Sequence, residues 1–246
     1  METNQKKAVC LNCESETNGN FCQTCGQSTR AHRITFRETF NDFFSSAFAL
    51  EGPLLYTLRL LIVNPGKLFR EFIGGKRKRY YKPVAFFIVL TAIYIVVRAL
   101  INYDPFHGQE AIANVPEKQK VFVEAGRFMV ANINNIMFFL VFSVGLNQKM
   151  FFRKKYNLAE YITVGFYVSG IYILLGLLVA MFSVYVFWIT PRINFVFLFS
   201  YLFYVSVSFH QKKSFWALTK YFLIGILTIL FYFAFGYSFS VLMVSI

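Results

Sequence analysis

Cys10, Cys13, Cys22 and Cys25 are all the cysteines of the 246-residue chain, and they stand as two Cys-x2-Cys pairs separated by eight residues. Two such knuckles closed by one short hairpin offer four thiolates to a single divalent ion, the ligand set of a zinc ribbon. A four-thiolate site leaves no open position for a substrate, so the expected Zn2+ is structural. The alternative, two disulfides, needs an oxidising compartment; the paired spacing and the charge pattern described below favour the metal. Binding energies of ~10–16 kcal/mol can fold a unit with almost no core of its own. Gly19 and Gly26 supply turns, and Phe21 is placed to cover the metal.

No catalytic set accompanies the cysteines. His32, His107 and His210 are scattered over the N-terminal tail and two loops, with no spacing that unites them. Ionisable residues within apolar stretches usually mark a transport or catalytic path, and here they are nearly absent. Arg98 lies near the end of the first stretch and can extend outward. Glu160 opens the third, where Lys154 or Lys155 can pair with it. Asn132 and Asn135, three apart in the second, share a helix face and form a candidate polar intramembrane site. Asparagines in lipid are costly, so they face either another helix, through hydrogen bonds of ~0.6–2 kcal/mol, or a polar cavity. Gly165 with Ser169, and Gly176 with Ala180, are small-xxx-small pairs that permit close helix approach.

A different chemistry belongs to Lys76, Arg77, Lys78, Arg79 and Lys82. Each basic residue near an anionic leaflet contributes ~1 kcal/mol, so this block is a candidate lipid-headgroup site as well as a topology signal. The net charge of +13 is concentrated here and just upstream, at Lys67 and Arg70. In residues 1–30, by contrast, Lys6, Lys7 and Arg30 are cancelled by Glu2, Glu14 and Glu16. That distribution favours anionic lipid over nucleic acid.

The elements that must position these groups are mostly membrane helices. The chain is 57% apolar and 15% charged, against about a quarter charged in soluble domains. Residues 1–30 read as the ribbon, 31–83 as amphipathic or interfacial helices with the basic segment, and 84–246 as a transmembrane bundle. Ile34 to Leu50 carries phenylalanines at helical spacing, with Thr35 and Glu38 as a capping box. Leu54 to Val63 follows Gly52-Pro53, is too short to span, and ends at Asn64-Pro65-Gly66. Five spans are expected near 84–101, 128–147, 160–184, 193–209 and 217–240. The segments flanking them alternate basic and neutral, as five crossings require. The fold class is thus an all-α integral membrane protein. Its N-terminus is expected in the cytoplasm and its C-terminus outside, in a bacterial inner membrane, with no secretory signal in the polar first 30 residues.

The stretch Cys10-Leu-Asn-Cys13, then Asn20-Phe-Cys22-Gln-Thr-Cys25-Gly26-Gln27, resembles the bacterial membrane-protein family catalogued as domain of unknown function 3667. Asn64-Pro65-Gly66, the run from Arg70 to Arg77, and Tyr80 to Pro83 are similar to that family's second block. The resemblance extends over residues 8–100 and is looser beyond. It implies the ribbon, the zinc and the spans, and brings no activity with it. Many relatives carry a His after the glutamate that opens the third span; Tyr161 stands there in this chain.

The closed metal site and the scarcity of intramembrane acids point to a non-enzymatic interaction or assembly module with a protein partner at the cytoplasmic face. The alternative is a small-molecule transporter or lipid-handling protein using Asn132 and Asn135. An intramembrane enzyme ranks last, for want of an acid, base or nucleophile set.

Overall fold

The computed structural model describes residues 8–29, 34–35, 53–106 and 116–245, and of Glu117, Lys118, Asn134 and Asn135 the backbone alone. His32, His107 and the helix expected from Ile34 to Leu50, apart from Ile34 and Thr35, lie outside the described residues, as does the side chain of Asn135.

The ribbon is a small hairpin. Strands β1 (Ala8–Val9) and β2 (Glu16–Thr17) pair antiparallel, with Ala8 opposite Thr17. Two short helices follow the segment that joins it to the bundle, α1 (Leu54–Val63) and α2 (Pro65–Ile73). They hinge at Asn64, whose side chain accepts from the Lys67 amide and so caps α2 at its first turn. The carbonyls freed at the end of α1 are taken by tyrosines of a distant helix: Tyr201 donates to Leu61 O, and Tyr204 to Ile62 O and Val63 O.

The bundle consists of α3 (Pro83–Leu100), α4 (Glu117–Ala131), α5 (Ile133–Phe151), α6 (Leu158–Tyr185), α7 (Ile193–His210) and α8 (Phe215–Ser245). Helix α6 is its axis. Every residue from Ala159 to Ile173 is buried, the state demanded of a helix that is apolar on all sides. The rings of Phe69, Phe72 and Phe86 surround that of Tyr167, joining α2 and α3 to α6. The outer helices turn apolar side chains outward, Ile93, Ile95 and Val96 on α3 and Leu223, Leu230 and Phe233 on α8 among them. An apolar belt of this extent is stable against lipid, where helices satisfy their own backbone groups. Among the described residues four helices are long and apolar enough to cross a membrane, and the number rises to five if a bent pair counts as one span.

That pair covers the expected second span at 128–147 and bends it. The helix breaks at Asn132, and the segments Gln119–Ala131 and Ile136–Phe151 meet at 85°. The loose carbonyls at the break have local partners. Asn132 Nδ2 donates to Phe128 O (3.0 Å), and Arg98 Nη1 to Ala131 O (3.2 Å). Arg98, expected to reach outward, thus closes a helix end. At 19 residues and ~1.5 Å per residue, α5 alone measures ~28 Å, close to the hydrocarbon thickness.

Side-chain pairings fix the helix directions. Gly145 and Gly165 each sit against the opposite member of the antiparallel pair α5–α6, at Ile162 and Val141. Gly170 meets Phe86, and Gly176 faces Tyr94, so α3 runs parallel to α6. One end of the bundle therefore gathers Lys76 to Lys82, Arg153 to Lys155, and Lys212 with Lys213. The other holds Tyr103 stacked on Trp188.

Candidate metal centre and basic collar

The two knuckles repeat one backbone pattern. The Cys10 amide donates to Ser15 O and the Glu14 amide to Cys10 O; the Cys22 amide donates to Gln27 O and the Gly26 amide to Cys22 O. Each turn needs its fifth residue in the left-handed region, filled by Glu14 (φ 64°) and Gly26 (φ 70°). Glycine adopts that conformation at no steric cost, and this is the turn role expected of Gly26. The pattern converges all four Sγ atoms to within 4.8 Å of one another. Cys10 lies 3.6 Å from Cys25, and Cys13 lies 3.5 Å from Cys22. A tetrahedral ion with Zn–S bonds of ~2.3 Å separates its sulfurs by about 3.8 Å, so the cluster fits a metal ion with little adjustment. Hydrogen bonding with the Ser15 hydroxyl, and then its backbone, holds the Cys13 thiol down to about 6. Backbone bonds from Cys25 and Thr24 lower Cys22. Both favour the thiolate that ligates metal. Phe21 does not cover the site: it is 64% exposed and bridges to Ser28.

Gln27 is the centre of the ribbon's seat on the bundle. Gln27, 6% exposed, donates from Nε2 to Gly75 O at 2.7 Å. Its Oε1 accepts from the amides of Arg77 and Lys78, both at 3.1 Å. The Gly75–Lys78 turn thus has its donors and acceptor read by a single amide. Leu11 packs against Gly75, which at φ 108° needs glycine's freedom. Lys76 Nζ is 3.5 Å from Glu14 Oε1, on the first knuckle.

This seating draws on the expected headgroup site. Lys76 pairs with Glu14, and Arg79 lies 3.9 Å from Glu71 Oε2 and over the ring of Tyr56. Tyr80 donates to the same Glu71 carboxylate oxygen. Lys78 is exposed, and Lys82 precedes the first helical residue of α3. The collar is in part a fastening of the protein to itself.

Other expected residues are dispersed. Asn132 is engaged with its own helix at the break, not with a neighbour across the bundle. Glu160 completes a capping box: its carboxylate accepts from the Asn157 amide (2.6 Å), while Asn157 Oδ1 accepts from the Glu160 amide (2.7 Å). The lysine pairing expected of it is thus replaced by a backbone contact. Tyr161 is buried and donates to Phe152 O at 3.0 Å. Of the two small-residue pairs, Gly165 abuts the Val141 carbonyl directly, whereas Gly176 meets only the Tyr94 ring at 4.0 Å.

Sequence reasoning passed over three groups. Gly66 and Arg70 lock α2 to the end of α7: the Gly66 amide donates to Ser208 Oγ (3.0 Å), and Arg70 Nη1 to Ser208 O (2.6 Å) and Phe209 O (3.1 Å). Gln148, Ser206 and His210 form a buried chain between α5 and α7. At the opposite end, Arg127, Tyr172, Arg192 and Asn194 line a cavity of about 460 Å³. Asn194 Oδ1 is buried without a partner. The Asn-Pro-Gly triplet was the one available signal for the first group; the others carry none, because their members come from different helices, Gln148 lying 58 and 62 residues from its two partners.

Fold and site together define a helical, multi-pass membrane-type protein with an N-terminal four-cysteine ribbon able to hold a metal ion. Residues 51–95 match the family described as Protein of unknown function (DUF3667), and the family resemblance holds over this block. The matched segment runs from α1 through the collar that Gln27 grips and into α3. No curated protein and no solved structure matches the chain.

Proposed function

We propose that the chain is a non-enzymatic inner-membrane protein of bacteria, an interaction or assembly module whose ribbon holds structural zinc in the cytoplasm. The observation that carries this reading is the Gln27 clamp. A four-sulfur unit rigidly seated on a membrane bundle is a platform, and Val9 and Phe21 leave it 61% and 64% exposed. Such apolar residues on an otherwise polar unit suit a protein partner. Nucleic acid is not the expected partner, since the ribbon's charges cancel. The gathering of basic loops at the ribbon's end supports a cytoplasmic N-terminus and an external C-terminus.

A photo-crosslinking residue at Phe21 tests the proposal in living cells. A discrete protein adduct that disappears in Cys22→Ser, with the bundle still inserted, supports it. The same adducts in both backgrounds would remove the ribbon from the interaction. A second reading, transport or lipid handling, rests on the cavity beside Asn194 instead of on Asn132 and Asn135. It requires that Asn194→Leu abolish substrate movement while expression is unchanged.

A further inference from the structure

At the ribbon's end of the bundle, the α5–α6 and α7–α8 loops face each other across an open pocket of about 580 Å³. Arg153, Lys154, Lys155 and Lys212 line it, all exposed, and among the described residues no carboxylate does. The collar differs, because there Lys76 and Arg79 meet Glu14 and Glu71. Among the described residues no ion pair neutralises these four. Burial, Arg70 and Lys212 together lower the proton affinity of Lys155, a sign of cations crowded without an anion.

The pocket is built, not draped. Lys149 pins its loop by donating to Arg153 O (2.6 Å) and Tyr156 O (2.9 Å). Its wall includes His210, which is 4% exposed and stacked on the Phe152 ring at 3.7 Å. Gln148 Nε2 donates to Ser206 Oγ, which turns Gln148 Oε1 toward His210 Nε2 at 2.9 Å. With Gln148 in this orientation Oε1 accepts from an Nε2–H, which leaves Nδ1 of the neutral ring as the acceptor. That nitrogen is buried and has no partner. A buried acceptor left unmatched is uncommon in a folded protein, and a ligand hydroxyl or water would satisfy it.

We propose that this pocket is a phosphate-ester site, with the four cations holding the phosphate oxygens and His210 Nδ1 accepting from a hydroxyl of the same ligand. Two sources share this chemistry, a phospholipid headgroup at the membrane surface and a soluble phosphate ester. The site is independent of the ribbon, and variants in it leave the metal in place.

The test uses the full chain in nanodiscs. One arm counts phosphatidylglycerol against phosphatidylcholine retained in native mass spectrometry. The other titrates glycerol 1-phosphate by calorimetry into nanodiscs of phosphatidylcholine alone. Either ligand should bind at about one per chain, and the arm that responds identifies the source. Lys155→Gln with Lys212→Gln should weaken it at least tenfold, as should Lys154→Glu on its own, while Lys120→Gln, exposed on α4 toward the opposite end, changes nothing. Thermal unfolding of each variant confirms an intact fold. Binding undiminished in both pocket variants, an equal loss in Lys120→Gln, or no binding in either arm would overturn the assignment.

Discussion

Replacing Gln27 by alanine should release the ribbon from the bundle without dismantling the metal site. The side chain makes three hydrogen bonds, one to Gly75 O and two from the Arg77 and Lys78 amides. Each such bond contributes a net ~1 kcal/mol, so the set contributes ~3 kcal/mol to docking. At ~1.4 kcal/mol per tenfold, the docked fraction falls relative to the undocked by about a hundredfold. The Gln27 carbonyl that closes the second knuckle is backbone and survives the change. Hydrogen exchange of the peptide spanning residues 74–82, measured in nanodiscs, reads this directly, because amide protection tracks local opening. The Arg77 and Lys78 amides should exchange about a hundredfold faster, with one zinc per chain retained by elemental analysis. Unchanged protection with metal retained would show that Leu11 and the Glu14–Lys76 pair hold the ribbon without Gln27, and the clamp would be refuted.

Metal removal by chelation, or Cys22→Ser, should unfold the ribbon and raise exchange at Arg77 and Lys78 to at least the level of Gln27→Ala; protection that persists without metal would contradict a metal-dependent ribbon. Gly66→Ala places a methyl group inside the Ser208 carbonyl; overpacking of this kind costs ~1–3 kcal/mol, and a lowered unfolding midpoint should report it. Gly126→Ala, with nothing within 4 Å of the added carbon, should instead be neutral or stabilise by up to ~1 kcal/mol, a contrast visible in the same unfolding scans. Asn132→Ala removes a bond made within one helical turn and should shift stability by ~1 kcal/mol or less; a large loss of folded protein would place Asn132 in an interhelical contact after all.

The metal site was legible because its information is local. Two knuckles of five or six residues each specify their own turns, and spacing alone brings four sulfurs together once the hairpin closes. The spans were legible for a similar reason: runs of apolar residues must leave water wherever they end up. The bend in the second span was not legible, because hydropathy is blind to direction. Residues 128–147 are apolar enough throughout, and it took the capping of Ala131 by Arg98, from another helix, to make a sharp break tolerable. Glu160 was misassigned because proximity to lysines along the chain says nothing of which group its carboxylate reaches; the Asn157 amide, three residues away, was nearer.

Composition and short-range spacing by themselves therefore determined a helical membrane protein headed by a four-thiolate ribbon. Tertiary structure alone decided that the ribbon sits on the collar, that part of the collar's charge is spent inside the protein, and that four cations without an ion pair among the described residues line one pocket. The physical reason is that hydrophobic transfer and knuckle geometry are properties of adjacent residues. A hydrogen bond from Gln27 to a turn 48 residues onward, or from Arg70 to a carbonyl 138 residues away, exists only when the whole chain has chosen its arrangement.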